Sequence, residues 1–285
     1  MVNVDDITIP FYENVQGAMI HLREVQIKLP GRFQDEYPFN VSAIKSLNPL
    51  PFESAVTIFV GENGSGKSTL LEALATAAGM VIVGSTAGDR DPSLDAIRPL
   101  AQQLKLVWNK KTRRGFFLRA EDFFGYVKSL RALHNDMLDE LDRIEREYEG
   151  RSDYVKALAS QPATGSLAGM KQRYGDDLDA NSHGESFLTL FQSRFVPGGL
   201  YILDEPEAAL SPLRQLSLIA LIKGMVAQEA QFIIATHSPI LMACPGAILY
   251  DFDRQPPVRV AYDDLEHVKL YRDFLEDPEA FLRHL

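Results

Sequence analysis

Cysteine is almost missing from this sequence: Cys244 stands alone among 285 residues. A single thiol cannot close an intrachain disulfide, and a four-cysteine zinc site is excluded with it. Cys244 reads instead as a small buried apolar residue beside a strand end. Long apolar runs are also lacking, the longest falling well short of the roughly 20 residues a membrane-spanning helix needs. Asp5 and Asp6 stand where a secretory leader would carry positive charge, so the expectation is a cytoplasmic chain with no direct membrane insertion. Positive charge is in deficit too, with 29 Lys and Arg against 39 Asp and Glu and a formal net charge of −10. That balance opposes broad, sequence-blind attraction to nucleic acid or to anionic lipid, and leaves room only for a local basic patch. Internal repeats and low-complexity tracts are absent.

What is present is a hydrophobic content of 46%, enough for one substantial core. The expectation is a single domain over residues 1–285 with a helical insertion at 122–181. Residues 19–29 and 56–60 read as strands, separated by a polar stretch at 30–51 punctuated by Pro and Gly. Strong helix formers fill 67–78, and Gly79 follows as a stop signal. Residues 104–109 and 115–120 flank Lys110, Lys111, Arg113 and Arg114, which suggests a hairpin with a basic turn.

From Phe123 onward, Val127, Leu130, His134, Met137, Leu141, Ile144 and Tyr148 recur at steps of four and three until Gly150. That spacing predicts one long amphipathic helix packed on the body. No returning segment of similar length and pattern precedes Pro162, so an extended two-stranded coiled coil is not expected; 163–181 reads as loop with short helical pieces. The last third alternates: strand 200–203, helix 212–228, strands 231–235, 247–252 and 258–262, then helical 265–285. Such βαβ alternation implies an α/β fold, a mostly parallel sheet flanked by helices, here with an N-terminal antiparallel β portion.

The sharpest signal is Gly61, Glu62, Asn63, Gly64, Ser65, Gly66, Lys67 and Ser68, a full G-x-x-x-x-G-K-[ST] match between an apolar strand and a helix. Glycines let the backbone turn tightly and aim successive N–H groups at a β-phosphate, while the helix start adds partial positive charge. Lys67 would reach the β- and γ-phosphates, the Ser68 hydroxyl would ligate Mg²⁺, and Thr69 would touch the α-phosphate. The motif establishes a nucleoside triphosphate site, not a use for it. A second element, residues 200–206, runs four apolar residues into Asp204 and Glu205. A buried strand would deliver both acids at the carboxyl edge of a parallel sheet, where ligands bind in such folds. Asp204 would then hold Mg²⁺ through its water shell, and Glu205 would polarise the attacking water. Without the phosphate loop, the same run would read as a solvated acidic turn.

Residues 204–212 (DEPEAALSP) resemble the Walker B and D-loop of ABC-type P-loop ATPases. In particular they resemble the stand-alone, non-transporter branch, which is similar to the heads of SMC-type DNA-repair proteins and of overcoming-lysogenization-defect-like proteins. The resemblance spans about residues 19–253 and implies ATP as ligand. The family places a histidine after the next strand, and His237 stands there, which implies contact with the γ-phosphate or the lytic water; a capping or core histidine is the bland alternative. The family's signature loop, L-S-G-G-[QE], corresponds to residues 181–185 (NSHGE), where Asn181 and His183 depart. It implies that Ser182 and the backbone near Gly184 grip the γ-phosphate held by a second copy, so that two ATP molecules join two chains head to tail. A capping box from Ser182 to Glu185 explains the same residues. Glu121, with Arg119 nearby, stands where the family carries a glutamine that senses Mg²⁺ or the water; an acid favoured by a helix N-terminus fits equally. No adenine-stacking aromatic stands out among Tyr12, Phe33, Tyr37 and Phe39.

The leading functional expectation is a soluble ATPase that dimerises on ATP, separates after hydrolysis and passes the change to an unknown protein partner. Three alternatives stay open: the nucleotide-binding subunit of a membrane transporter, a DNA-transacting SMC-like ATPase whose Lys110, Lys111, Arg113 and Arg114 contact phosphate, and a switch that binds ATP and scarcely hydrolyses it.

Overall fold

The computed structural model describes residues 18–28, 35–83, 94–174 and 183–283. Its centre is a seven-stranded sheet. The strands are β3 (Val56–Val60), β4 (Val81–Ile82), β6 (Gly115–Arg119), β7 (Leu200–Asp204), β8 (Gln231–Ala235), β9 (Ile248–Asp251) and β10 (Val258–Val260), in the order β10-β9-β3-β8-β7-β6-β4. All neighbours are parallel except β10, which pairs antiparallel with β9. Every residue of β3, β7 and β8 is buried, as expected where helices cover both faces of a parallel sheet.

Alternation along each strand sorts side chains onto the two faces. Ile58, Phe116, Tyr201 and Phe232 enter one apolar cluster, while Phe59, Phe117, Ile202 and Ile233 enter the other. The first face is aromatic, with the Tyr201 ring 5.1 Å from both Phe116 and Phe232. The second is covered by Leu70, Leu71 and Leu74 of helix α2 (Lys67–Ala78). Shorter helices α1 (Ser42–Lys45) and α3 (Arg98–Ala101) pack on that side through Ile44 and Leu100. Helices α7 (Pro212–Val226) and α8 (Pro239–Met242) cover the first face through Leu218, Ile222 and Leu241. Helices α9 (Glu266–Glu276) and α10 (Pro278–Leu282) follow β10.

A smaller antiparallel sheet of β1 (Leu22–Ile27), β2 (Leu50–Pro51) and β5 (Leu104–Trp108) lies in the order β2-β1-β5. Gln231 ties it to the main sheet. Its buried amide oxygen accepts from the His21 and Leu22 N–H groups, both at 2.8 Å, and its Nε2 donates to the Leu22 carbonyl at 2.9 Å. A buried amide so completely partnered fixes the approach of the two sheets, because any slip would leave polar groups unpaired.

Three expectations need correction. Residues 104–109 and 115–120 do form strands, but not a hairpin: β5 pairs with β1, and β6 lies between β4 and β7. The turn is a crossing between sheets, made at Gly115, where φ is +117° and an added Cβ would sit 1.7 Å from the Leu200 carbonyl oxygen. β10 also departs from the expected parallel alternation, since residues 252–257 reverse the chain without a helix.

The third correction concerns the insertion. The long helix is real as α4 (Ala120–Glu147), but a partner follows it, α5 (Asp153–Tyr174), running through Pro162 and most of the stretch read as loop. At about 1.5 Å per residue these are roughly 42 and 33 Å long, and the five-residue link makes them antiparallel neighbours. Heptad spacing does not reveal α5 because its buried apolar positions are few. Ala163 and Met170 are buried, as is Ile144 of α4, and Ala, Gly and Ser on α5 permit close approach without a large-apolar stripe. Residues 175–182 lie outside the described chain. Helix α6 (His183–Arg194) then returns to the body through the buried Leu188 and Phe191.

Candidate active site

The phosphate loop, residues 61–66, joins β3 to α2 at the carboxyl edge of the parallel sheet. Gly66 has φ +101°, and a Cβ there would meet Val41 Cγ1 at 2.6 Å, so only glycine lets α2 start this close to α1. Glu62, Asn63 and Gly64 are exposed, Ser65 and Ser68 half-buried, and Gly66, Lys67 and Thr69 buried.

The Lys67 ammonium donates to the Gly61 and Glu62 carbonyl oxygens, both at 2.8 Å, and lies 3.4 Å from Ser65 Oγ. The lysine thus closes the loop on itself. Burial lowers its pKa below the usual lysine value, opposed by Asp253, Glu205, Asp204 and Glu207. Asp253 was not singled out from the sequence. It follows β9, and its Oδ1 accepts the Glu62 N–H at 2.8 Å, bracing the loop from the far side.

β7 is in register with β6 and β8, so Asp204 stands beside Arg119 and Ala235. The Ser68 hydroxyl donates to Asp204 Oδ1 at 3.1 Å. Asp204 is 7% exposed, and this burial pushes its pKa up to about 7; Glu205 and Glu72 add to the rise, while the Ser68 hydrogen bond and Lys67 oppose it. Glu205 turns the chain with φ +50° as Pro206–Ala209 coils into one 3-10 turn.

His237, just past β8, places Nε2 3.4 Å from Glu205 Oε1. That nitrogen is shielded and makes no hydrogen bond. The His237 N–H donates to Glu207 Oε1 at 2.6 Å, and the buried Glu207 Oε2 has no hydrogen-bond partner. Glu207 therefore locates the histidine backbone, a role legible only as one more acid in the 204–212 run. Behind it, Ser238 Oγ donates to Gln215 Oε1 and caps α8 by accepting from the Ile240 and Leu241 N–H groups.

Lys67, Ser68, Asp204, Glu205 and His237 are thus brought together. Glu121 is not brought to Ser68 or Asp204: its side chain is 77% exposed and lies 3.7 Å from Arg119 Nε. The closer partners of Arg119 are the half-buried Asp122, at 2.6 and 3.1 Å, and Glu72, at 3.2 Å. Burial works against the Arg119 charge, but these two carboxylates more than offset it and raise its pKa. Glu72 is itself raised by burial, against the pull of Arg119. Ser182 lies outside the described residues, and Gly184 stands in the first turn of α6. Phe39 is buried and Tyr37 is 53% exposed; Tyr12 and Phe33 lie outside the described residues.

A hollow of about 470 Å³ adjoins the loop, lined by Glu62, His237, Asp251, Asp253, Asp264 and Glu266 among others. Its five carboxylates outnumber Arg254 and His267 in the lining, a balance that disfavours a polyphosphate there. Cys244 is buried and its thiol is pushed up to about 12, so it stays protonated. Among the described residues no helix is long and apolar enough to cross a membrane.

Two family models match the chain. One, described as an AAA domain, covers residues 39–148, including the phosphate loop. The other, described as "AAA domain, putative AbiEii toxin, Type IV TA system", covers residues 186–243, including Asp204, Glu205 and His237. Among solved structures, the chain is similar to the Smc head domain with an extended coiled coil from Pyrococcus furiosus, crystallised bound to the C-terminal domain of ScpA. Identity is 12% over 89% of this chain and 99% of that one, with a TM-score of 0.44. It is similar to the SMC head domain from Thermotoga maritima, at 17% identity over 85% and 100% of the two chains and a TM-score of 0.44. A third likeness is to an ATP-binding cassette of an ABC transporter in its ADP conformation, at 16% identity over 89% and 99% and a TM-score of 0.43. The strand order, the loop between β3 and α2 and the two AAA matches give the chain a P-loop NTPase fold.

Proposed function

We propose that this chain is an ATP hydrolase that closes as an ATP-dependent head-to-tail dimer and passes the change of shape to a protein partner. One observation carries the reading. A buried loop lysine, a Ser68–Asp204 hydrogen bond and an unpartnered His237 nitrogen beside Glu205 meet at one sheet edge. The Ser68 hydroxyl and Asp204 carboxylate are hard oxygen donors, and one of each suits a Mg²⁺ ion that completes its shell with phosphate oxygens and water. Those two residues would hold the ion, which when bound neutralises charge on the β- and γ-phosphates.

The chain's own residues supply the rest. Lys67 exchanges its two loop carbonyls for β- and γ-phosphate oxygens, and the N–H groups of residues 63, 64 and 66–69 take the remaining phosphate charge. Glu205 accepts a proton from water as the water oxygen bonds to the γ-phosphorus. The bond from that phosphorus to the β–γ bridging oxygen breaks, and its electron pair leaves with ADP. His237 Nε2 donates to the γ-phosphate oxygen or orients the water, which would give its orphaned nitrogen a partner.

Dimerisation is supported by the exposure of Glu62, Asn63 and Gly64, which leaves the γ-phosphate side of the loop to be closed by Ser182 and Gly184 of a second copy. Leu213 and Leu216, at the start of α7, are 72% and 54% exposed and suit the same interface. In the Glu205→Gln variant, turnover should fall by about 100-fold or more, and a dimer should accumulate on ATP in size-exclusion chromatography. Unchanged turnover removes Glu205 as base, and monomeric elution of the ATP-bound variant removes the dimer.

A further inference from the structure

The opposite end of α2 carries a second hollow, also of about 470 Å³, lined by Gly79, Trp108, Lys111, Thr112, Arg113 and Arg114 among others. It lies at the amino edge of the main sheet, where Gly115 opens β6 and Leu200 opens β7. The twelve residues of α2 separate it from the phosphate loop by about 18 Å. Its character is the inverse of the acidic hollow by the loop. Three cations line it and no acid does, in a chain whose net charge is −10.

The cations are presented rather than consumed. Lys110, Lys111, Arg113 and Arg114 are exposed, and among the described residues none lies within ion-pair distance of an acid. The segment that carries them is nonetheless built. Thr112 Oγ1 donates to the Gly198 carbonyl at 3.0 Å and accepts the Arg114 N–H at 3.1 Å, while Arg114 Nη1 donates to the Pro197 carbonyl at 3.1 Å. The crossing between sheets thereby places three cationic residues around the same hollow as one half-buried indole, Trp108.

We propose that this hollow binds a nucleotide unit with an unpaired base, the phosphate on Lys111 and Arg113 and the base on the Trp108 ring. A simple anion would have no use for the indole, whereas aromatic rings beside cationic groups are what unpaired nucleotides take. The carboxyl end of α2 supports the same polarity, since the negative end of a helix dipole favours the amino N–H groups of a base over a second phosphate. The unit can come from a single strand or from a free nucleotide. This site is independent of hydrolysis and stands or falls without it.

Trp108 is the sole tryptophan, so intrinsic fluorescence reports on this hollow. The full chain, its phosphate loop saturated with ADP and Mg²⁺, is titrated with a twelve-nucleotide deoxycytidine strand and separately with deoxycytidine monophosphate, whose base carries an amino group. Quenching of Trp108 by either supports the site; a strand that binds far more tightly than the monophosphate identifies single-stranded nucleic acid as the source, and equal affinity per nucleotide identifies the free nucleotide. Lys111→Ala with Arg113→Ala, both exposed and harmless to folding, should weaken binding about ten-fold at low salt and flatten the slope of log affinity against log salt for the strand by roughly 1.4. No quenching by either ligand up to millimolar concentration overturns the proposal. So does quenching that the double variant leaves unchanged.

Discussion

Asp204→Asn offers the sharpest test of the electrostatics, because the site and the fold want opposite things from this residue. Burial holds the Asp204 carboxyl at about 7, against an ordinary 3.8. Between those values the folded protein keeps a proton that the unfolded chain has released. The residue's contribution is therefore fully favourable below about pH 4 and is lost as pH rises to about 7. At about 1.4 kcal/mol per pH unit, the loss is at most about 4 kcal/mol. Asparagine keeps the oxygen that accepts from Ser68 and removes the charge, so without metal or nucleotide it should stabilise the fold at pH 8 by roughly 2–4 kcal/mol and leave it unchanged at pH 4. The measurement is the difference in urea midpoints between wild type and variant at the two pH values, which cancels the other titrations of an acidic chain. MgATP at a thousand times the wild-type dissociation constant should then offset the variant's advantage, since wild type gains about 4.1 kcal/mol and the variant gains little. If Asp204→Asn lowers the midpoint at pH 8, or if the difference does not vary with pH, the account of Asp204 as a charge held against burial is wrong.

Two further outcomes follow from the geometry. Gly115→Ala should cost about 3 kcal/mol or more, because φ is +117° and the new Cβ would meet the Leu200 carbonyl oxygen at 1.7 Å; Gly198→Ala, with φ +69° and open space around it, should cost only about 1 kcal/mol, and equal urea midpoints for the two would contradict this. Asp253→Ala removes the acceptor of the Glu62 N–H and should raise the KM for ATP by roughly ten-fold with kcat little changed, while Asp253→Asn, which can still accept, should stay near wild type; an alanine variant with unaltered KM would leave the loop without need of this brace.

The phosphate loop, β3, α2 and β8 were legible to the residue because their determinants are local. A continuous apolar run ends in glycines, and a helix-forming run ends in Gly79. Asp204, Glu205 and His237 were legible for a related reason. Each lies at or just past the end of a buried strand of a parallel sheet, and parallel strands all finish at the same edge. Once the strands are read, their carboxyl ends share one edge, and the pairing of β7 with β8 then makes Asp204 and the residues after Ala235 neighbours.

Pairing is where local reading failed. Residues 104–109 and 115–120 have the composition of a hairpin, but which strand each joins depends on partners far away in sequence: Gln231, some 210 positions from His21, anchors the sheet that takes β5, and Leu200 lies against Gly115. A two-strand pattern carries no record of either. Helix α5 failed for the converse reason, since small residues pack closely and leave no apolar stripe to count. The same physics hid Asp253 and Glu207, whose work is to accept one main-chain N–H each. Any exposed-looking acid can do this, so its identity says nothing until the fold brings the donor to it. The basic turn shows what such blindness costs in the other direction: read as a hairpin tip, Lys111 and Arg113 are solvated charges, whereas at a crossing between two sheets they share a hollow with the chain's one indole.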